Sequence, residues 1–69
     1  MRHSEIENRF TFHPATPEKA EKYEGIRNEA RQLAHILNEL CPDGRELSIA
    51  MTKLDEVVMF ANASIARNE

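Results

Sequence analysis

A single cysteine, Cys41, excludes a disulfide within the chain, and there is no run of about 18 apolar residues that would cross a bilayer as a helix. Met1-Arg2-His3-Ser4-Glu5 leads into polar sequence without the apolar stretch of a signal peptide, so the expected location is the cytosol. One unpaired thiol agrees with a reducing compartment. Basic residues are also in deficit: 9 Lys and Arg stand against 12 Asp and Glu, a formal charge of -3. That balance offers no electrostatic footprint for polymeric DNA or RNA. A small anion needs less, only a few Arg or Lys side chains converging from neighbouring subunits.

Groups for chemistry are sparse too. His3, His13 and His35 show no helical i, i+4 pairing and Cys41 has no nearby Cys, so neither a metal centre nor a cofactor is expected. No Ser, Thr or Cys is set beside an oriented base, as nucleophilic catalysis requires. Glu18, Glu21, Glu24, Asp55 and Glu56 alternate with Lys19, Lys22 and Lys53, which reads as solvated helix faces with weak ion pairs. Nothing in the composition or spacing specifies a catalytic site.

What the chain does have is two apolar seams of nearly coiled-coil spacing, separated by Cys41-Pro42-Asp43-Gly44. The first is Tyr23, Ile26, Ala30, Leu33, Leu37 and Leu40; the second is Leu47, Ala50, Leu54, Val57, Ala61 and Ile65, widened by Met51 and Val58. Thr16-Pro17-Glu18 is a strong helix start, with a capping hydroxyl, a proline suited to the first helical position and an acid at the positive end of the dipole. Pro42 helps stop that helix, and Asp43 with Glu46 has the spacing of a capping box for the next. Four connecting residues make the two helices antiparallel neighbours.

The expected fold is all-α: a short N-terminal arm plus an antiparallel two-helix hairpin, in one domain. Residues 1–7, polar apart from Ile6, are expected to be a mobile terminus. Residues 8–16 form an arm in which Phe10 and Phe12 alternate with polar residues and Pro14 biases His13 toward extended backbone. The first helix spans 17–40, the turn 41–43 and the second helix 44–66. A chain of 69 residues buries only about 60% of its unfolded surface and usually needs a disulfide, metal or oligomer. Ile36, Ile49, Met59 and Phe60 lie off the seams, where a second hairpin would cover them. Assembly into a helical homo-oligomer is therefore expected.

One set of residues joins arm to helix. Phe12 and His13 offer flat surfaces, while Arg27 and Arg31 lie one turn apart and can face a phosphate together. Flat faces and guanidinium groups suit a nucleotide, with stacking for the base and charge-assisted hydrogen bonds for the phosphodiester. By composition alone the plainer reading stays open: Phe10 and Phe12 as a cap on the hydrophobic core, and the arginines as helix-surface charges.

These residues also carry a resemblance. The arm Asn8-Arg9-Phe10-Thr11-Phe12-His13-Pro14, the segment Tyr23-Glu24-Gly25-Ile26-Arg27, the turn Leu40-Cys41-Pro42 with Arg45-Glu46, and Met59-Phe60-Ala61-Asn62-Ala63 with Ile65-Ala66-Arg67 resemble the phage anti-CBASS cyclic-oligonucleotide sponge family. The resemblance covers about residues 8 to 68. It implies a hexamer that sequesters the cyclic nucleotides of bacterial defence signalling without cleaving them, in the cytoplasm of the infected host. It also implies a cyclic-dinucleotide pocket between two protomers, where Phe12 stacks on a base and Arg27 meets a phosphate; His13 and Arg31, from the residue pattern above, are expected in the same pocket. Cyclic GMP-AMP is the kind of ligand implied. Some relatives carry Tyr and Lys at the Phe12 and Arg27 positions; Phe12 keeps the stacking face without the hydroxyl, and Arg27 keeps the charge in another geometry. Some members also bind cyclic trinucleotides near three-fold contacts, where Gly25 and Arg45 are the matching positions. The competing reading is an oligomeric helical protein–protein interaction module with no nucleotide ligand, and a third is an enzyme that hydrolyses the same signals.

Overall fold

Thr16 is in extended backbone and its side chain accepts from the Lys19 amide at 3.2 Å, which satisfies one of the free N–H groups at the start of the helix that Pro17 opens. In the computed structural model, which describes residues 2–69, that helix is α2 (Pro17–Leu40). It ends as the Cys41 amide donates to the Leu37 carbonyl at 2.9 Å, with Cys41 itself extended and Pro42 unable to continue the ladder. The chain reverses over Cys41 to Gly44 and returns as α3 (Arg45–Asn68). Lys22, near the start of α2, pairs with the Glu69 side chain beyond the end of α3, so the far end of the hairpin is held by an exposed ion pair.

Two expectations are corrected here. Residues 3–10 are not a mobile terminus running into an extended arm but a helix, α1 (His3–Phe10); Met1 lies outside the described residues. Extended backbone begins only at Thr11. Glu5 in the first turn and Arg9 in the last complement the helix dipole, and His3 lies 3.8 Å from Glu7 across one turn. At the free C-terminal end the His13 ring donates through Nε2 to the Asn8 carbonyl at 2.6 Å, and the Thr11 hydroxyl donates to the Glu7 carboxylate at 3.4 Å. The second correction is at the other start. Gly44, not Asp43, is the N-cap of α3, with no side-chain cap bond, so the Asp43–Glu46 capping box does not form.

The three helices lie in essentially one layer, since the Cα extents are 46 × 30 × 12 Å. A helix of 24 residues runs about 36 Å, which accounts for most of the long dimension. The width shows α1 standing out from the hairpin in its own plane. In such a slab each long helix shields only one stripe, and no described residue is fully buried. The half-buried stripe consists of Tyr23, Ile26, Ala30, Ala34 and Leu37 against Leu47, Ala50, Met51, Leu54, Val58, Ala61 and Ile65. Leu33, Leu40 and Val57, expected inside the seams, are exposed. The helices are rotated so that small Ala30 and Ala34 face the partner, which turns Leu33 to one flank.

The chain exposes 5748 Å². A compact monomer of 7.9 kDa exposes roughly 4400 Å² by the mass scaling of folded proteins. No helix among the described residues is long and apolar enough to cross a membrane.

Because the Thr16 side chain is the one capping acceptor at the start of α2, Thr16→Ala should lower stability by about 1 kcal/mol. Urea denaturation followed by helical circular dichroism measures this, and an unchanged midpoint would show that the bond carries nothing.

Candidate functional site

Residues on a helix recur every three or four positions on one side, and the shielded stripe therefore divides each long helix into two flanks. Two grooves follow, one on each broad face of the slab. The first, about 590 Å³, is lined on α2 by Gly25, Glu29, Leu33 and Ile36, and on α3 by Leu54, Val57 and Val58. Apart from Glu29 and Gln32 its walls are apolar. The second, about 580 Å³, lies against Ala30, Ala34, Leu54 and Val58 and carries Arg27, Arg31, Asp55 and Met59 at its rim. Farther along the second face Arg27 also borders a smaller hollow of about 360 Å³, with Tyr23, Asn62, Ala63 and Ala66.

Arg27 and Arg31 thus meet at one groove, as their spacing of four requires. Both are exposed, and among the described residues neither makes an ion pair with a carboxylate. Two free guanidinium groups on one wall, with a single Asp55 opposite, make this the face suited to an anion.

Phe12 is not brought to them within the chain. Its ring is 84% exposed, and neither of the hollows bordered by Arg27 includes it. Phe10, 83% exposed, does not cap the core either. His13 is half-buried and engaged by the Asn8 carbonyl, which gives it a part in closing α1. Gly25 and Arg45 are separated as well: Arg45 opens α3 beside the turn, and Gly25 lies fifteen residues back from Leu40, roughly 20 Å along the axis. A Cβ on Gly25 would meet nothing within 4 Å. No group of three or more His, Cys, Asp or Glu among the described residues could hold a metal ion.

Asn62 is the polar residue of this face that sequence reasoning passed over. Its Oδ1 is shielded from solvent and has no hydrogen-bond partner, while its side chain borders the same hollow as Arg27 and Tyr23. Only the packing reveals it, since an Asn in a helix ordinarily signals a solvated position.

Against this geometry stand the comparisons with known proteins. The family model described as Acb2/Tad1, hairpin domain, matches residues 2–66, nearly the whole chain, with α1 and α2 entire and α3 up to Ala66. No curated protein and no solved structure matches it.

A shielded acceptor with no donor costs about 1 to 3 kcal/mol. Asn62→Leu, which keeps the side-chain shape and removes the orphan, should therefore stabilise the unliganded protein by about 1 kcal/mol. Chemical denaturation of the two proteins checks it; a loss of stability would mean that Asn62 is already satisfied in solution.

Proposed function

From the chain's membership of the Acb2/Tad1 hairpin-domain family, the anti-CBASS sponges, we propose that it holds cyclic dinucleotides of the cyclic GMP-AMP type, intact, in pockets completed by neighbouring copies. It acts in the cytoplasm of the infected bacterial host, where those messengers are made. The observation that carries this reading, beside the family match, is the pair Arg27 and Arg31 unneutralised on one groove of a flat hairpin. A slab 12 Å thick encloses nothing by itself, so a dinucleotide needs a second wall.

Phe12 supplies that wall from another protomer. Its ring projects from the linker between α1 and α2, exposed and free to stack on a base, and the guanidinium groups of Arg27 and Arg31 meet the phosphodiesters. His13 stands next to the stacking ring and, through its bond to Asn8, fixes where the linker leaves α1. The assembly is a hexamer. Cyclic trinucleotides occupy a second site near the contacts between copies, where the bare backbone at Gly25 admits close approach and Arg45 comes from a different chain. Sequestration needs no nucleophile, metal or acid–base pair; it needs tight binding and slow release.

Phe12→Ala should forfeit stacking worth about 1 to 3 kcal/mol per base, and Arg27→Ala a charge-assisted contact of roughly 1.5 to 3 kcal/mol. Calorimetric titration with cyclic GMP-AMP reads both, and undiminished affinity in the two variants would remove the site. Nucleotide released by heat denaturation should be recovered intact. Degraded nucleotide would point to hydrolysis instead, and no binding or thermal shift with any cyclic dinucleotide or trinucleotide would leave a protein–protein interaction module.

Replacing Gly25 by a bulky residue should abolish trinucleotide binding while cyclic GMP-AMP still binds at the arginine groove. Thermal shift with each ligand separately tests this, and loss of both together would place the two ligands in one site.

A further inference from the structure

We infer that α1 and the linker after it form a clamp that holds the Phe12 ring in place before a ligand arrives, with His13 and Thr11 as its positioning residues and neither of them a contact to the nucleotide. The inference rests on the reading of Phe12 as the stacking residue and assigns a function to the N-terminal helix.

Both chain neighbours of Phe12 are tied back to the same helix. On one side the Thr11 hydroxyl donates to Glu7 Oε2 at 3.4 Å, and on the other the His13 ring donates through Nε2 to the Asn8 carbonyl at 2.6 Å. That carbonyl is one of the last four of α1, which the helix's own amides leave free. Glu7 also stands 3.8 Å from His3 through its other oxygen, so the tie continues back to the first turn. The ring between the two ties is 84% exposed, and Pro14 confines the backbone of His13 to extended conformations. A half-buried imidazole whose Nε2 is already engaged has little left to offer a nucleotide.

The ties matter because α1 has 8 residues, fewer than the roughly 12 to 15 that an isolated helix needs to persist in water. Packing on the hairpin does not make up the difference: Ile6 stays 42% and Phe10 83% exposed. Helix formation and ring placement are therefore one equilibrium. While α1 is formed, Thr11 and His13 have anchors and Phe12 has few positions open to it. When α1 frays, the linker is free, and a base that stacks on the ring must first overcome the chain entropy of fixing it. Fixing the backbone of one residue changes an equilibrium by a factor of about 5 to 30 at room temperature. An ordered linker thus raises affinity without a new contact to the ligand.

In calorimetric titration with cyclic GMP-AMP, His13→Ala should bind about 5- to 30-fold more weakly than the unmodified protein. Added to Phe12→Ala, the same change should weaken binding by less than about twofold further, because His13 acts through the ring. Losses that multiply would mean that His13 touches the ligand itself, and would overturn the inference. Two more variants separate the donor from the flat face. His13→Gln keeps an N–H donor and should bind nearly as the unmodified protein does, whereas His13→Phe keeps a ring without the donor and should be as weak as His13→Ala; the reverse order would overturn the clamp. Hydrogen exchange without ligand gives a readout that needs no nucleotide: the α1 amides should exchange faster in His13→Ala while α2 and α3 keep their protection. Unchanged exchange in α1 would overturn the clamp even if affinity falls. Failure of the unmodified protein to bind cyclic GMP-AMP would overturn the binding reading instead, and exchange would still decide whether His13 holds α1.

Discussion

Two helices lying side by side can shield one stripe each, and a hairpin of this length has no third layer to cover the rest. That limit governs everything else in the molecule. The shielded stripe mixes alanines at 30, 34, 50 and 61 with larger residues such as Ile26, Leu37, Leu47 and Leu54, and it is only as wide as the contact between two helices. Leu33, Leu40, Val57 and Phe60 are consequently turned outward. Side chains that would form the centre of a larger domain here lie on the surface of the chain.

A thin molecule with two dissimilar faces can bind without enclosing. Arg27 and Arg31 stand on one flank of α2 because four residues separate them, and Ile36 stands on the other because it is five beyond Arg31. The hairpin thereby keeps its charge and its apolar surface apart with nothing more than helix periodicity.

α1 is a different case. Its eight residues are too few to be helical by propensity alone, and it stands beside the hairpin without being covered by it. What holds it locally is the linker: His13 donates to the Asn8 carbonyl, which the helix end would leave free, and Thr11 donates to the Glu7 carboxylate. Phe12 lies between these two residues and is left 84% exposed.

The long helices were legible because their signals are local. The Thr16 cap, Pro17 and the Cys41-Pro42 stop act within a turn of where they stand, and the seams repeat often enough to outweigh Gly25. α1 was misread because alternation of Phe10 and Phe12 resembles a strand, while the bonds at its end come from Thr11 and His13, four and five positions downstream of their acceptors. Asn62 escaped notice because shielding is a property of packing. By itself the sequence determined that there would be two antiparallel helices with apolar seams, too little core and paired arginines, since these depend on periodicity, capping and composition. Only the tertiary structure decided which apolar residues face inward, that the arginines and Ile36 border opposite grooves, and that Phe12 and Arg27 do not meet within one chain. The rotation of each helix about its axis is set by how the pair packs, and no single helix contains that information.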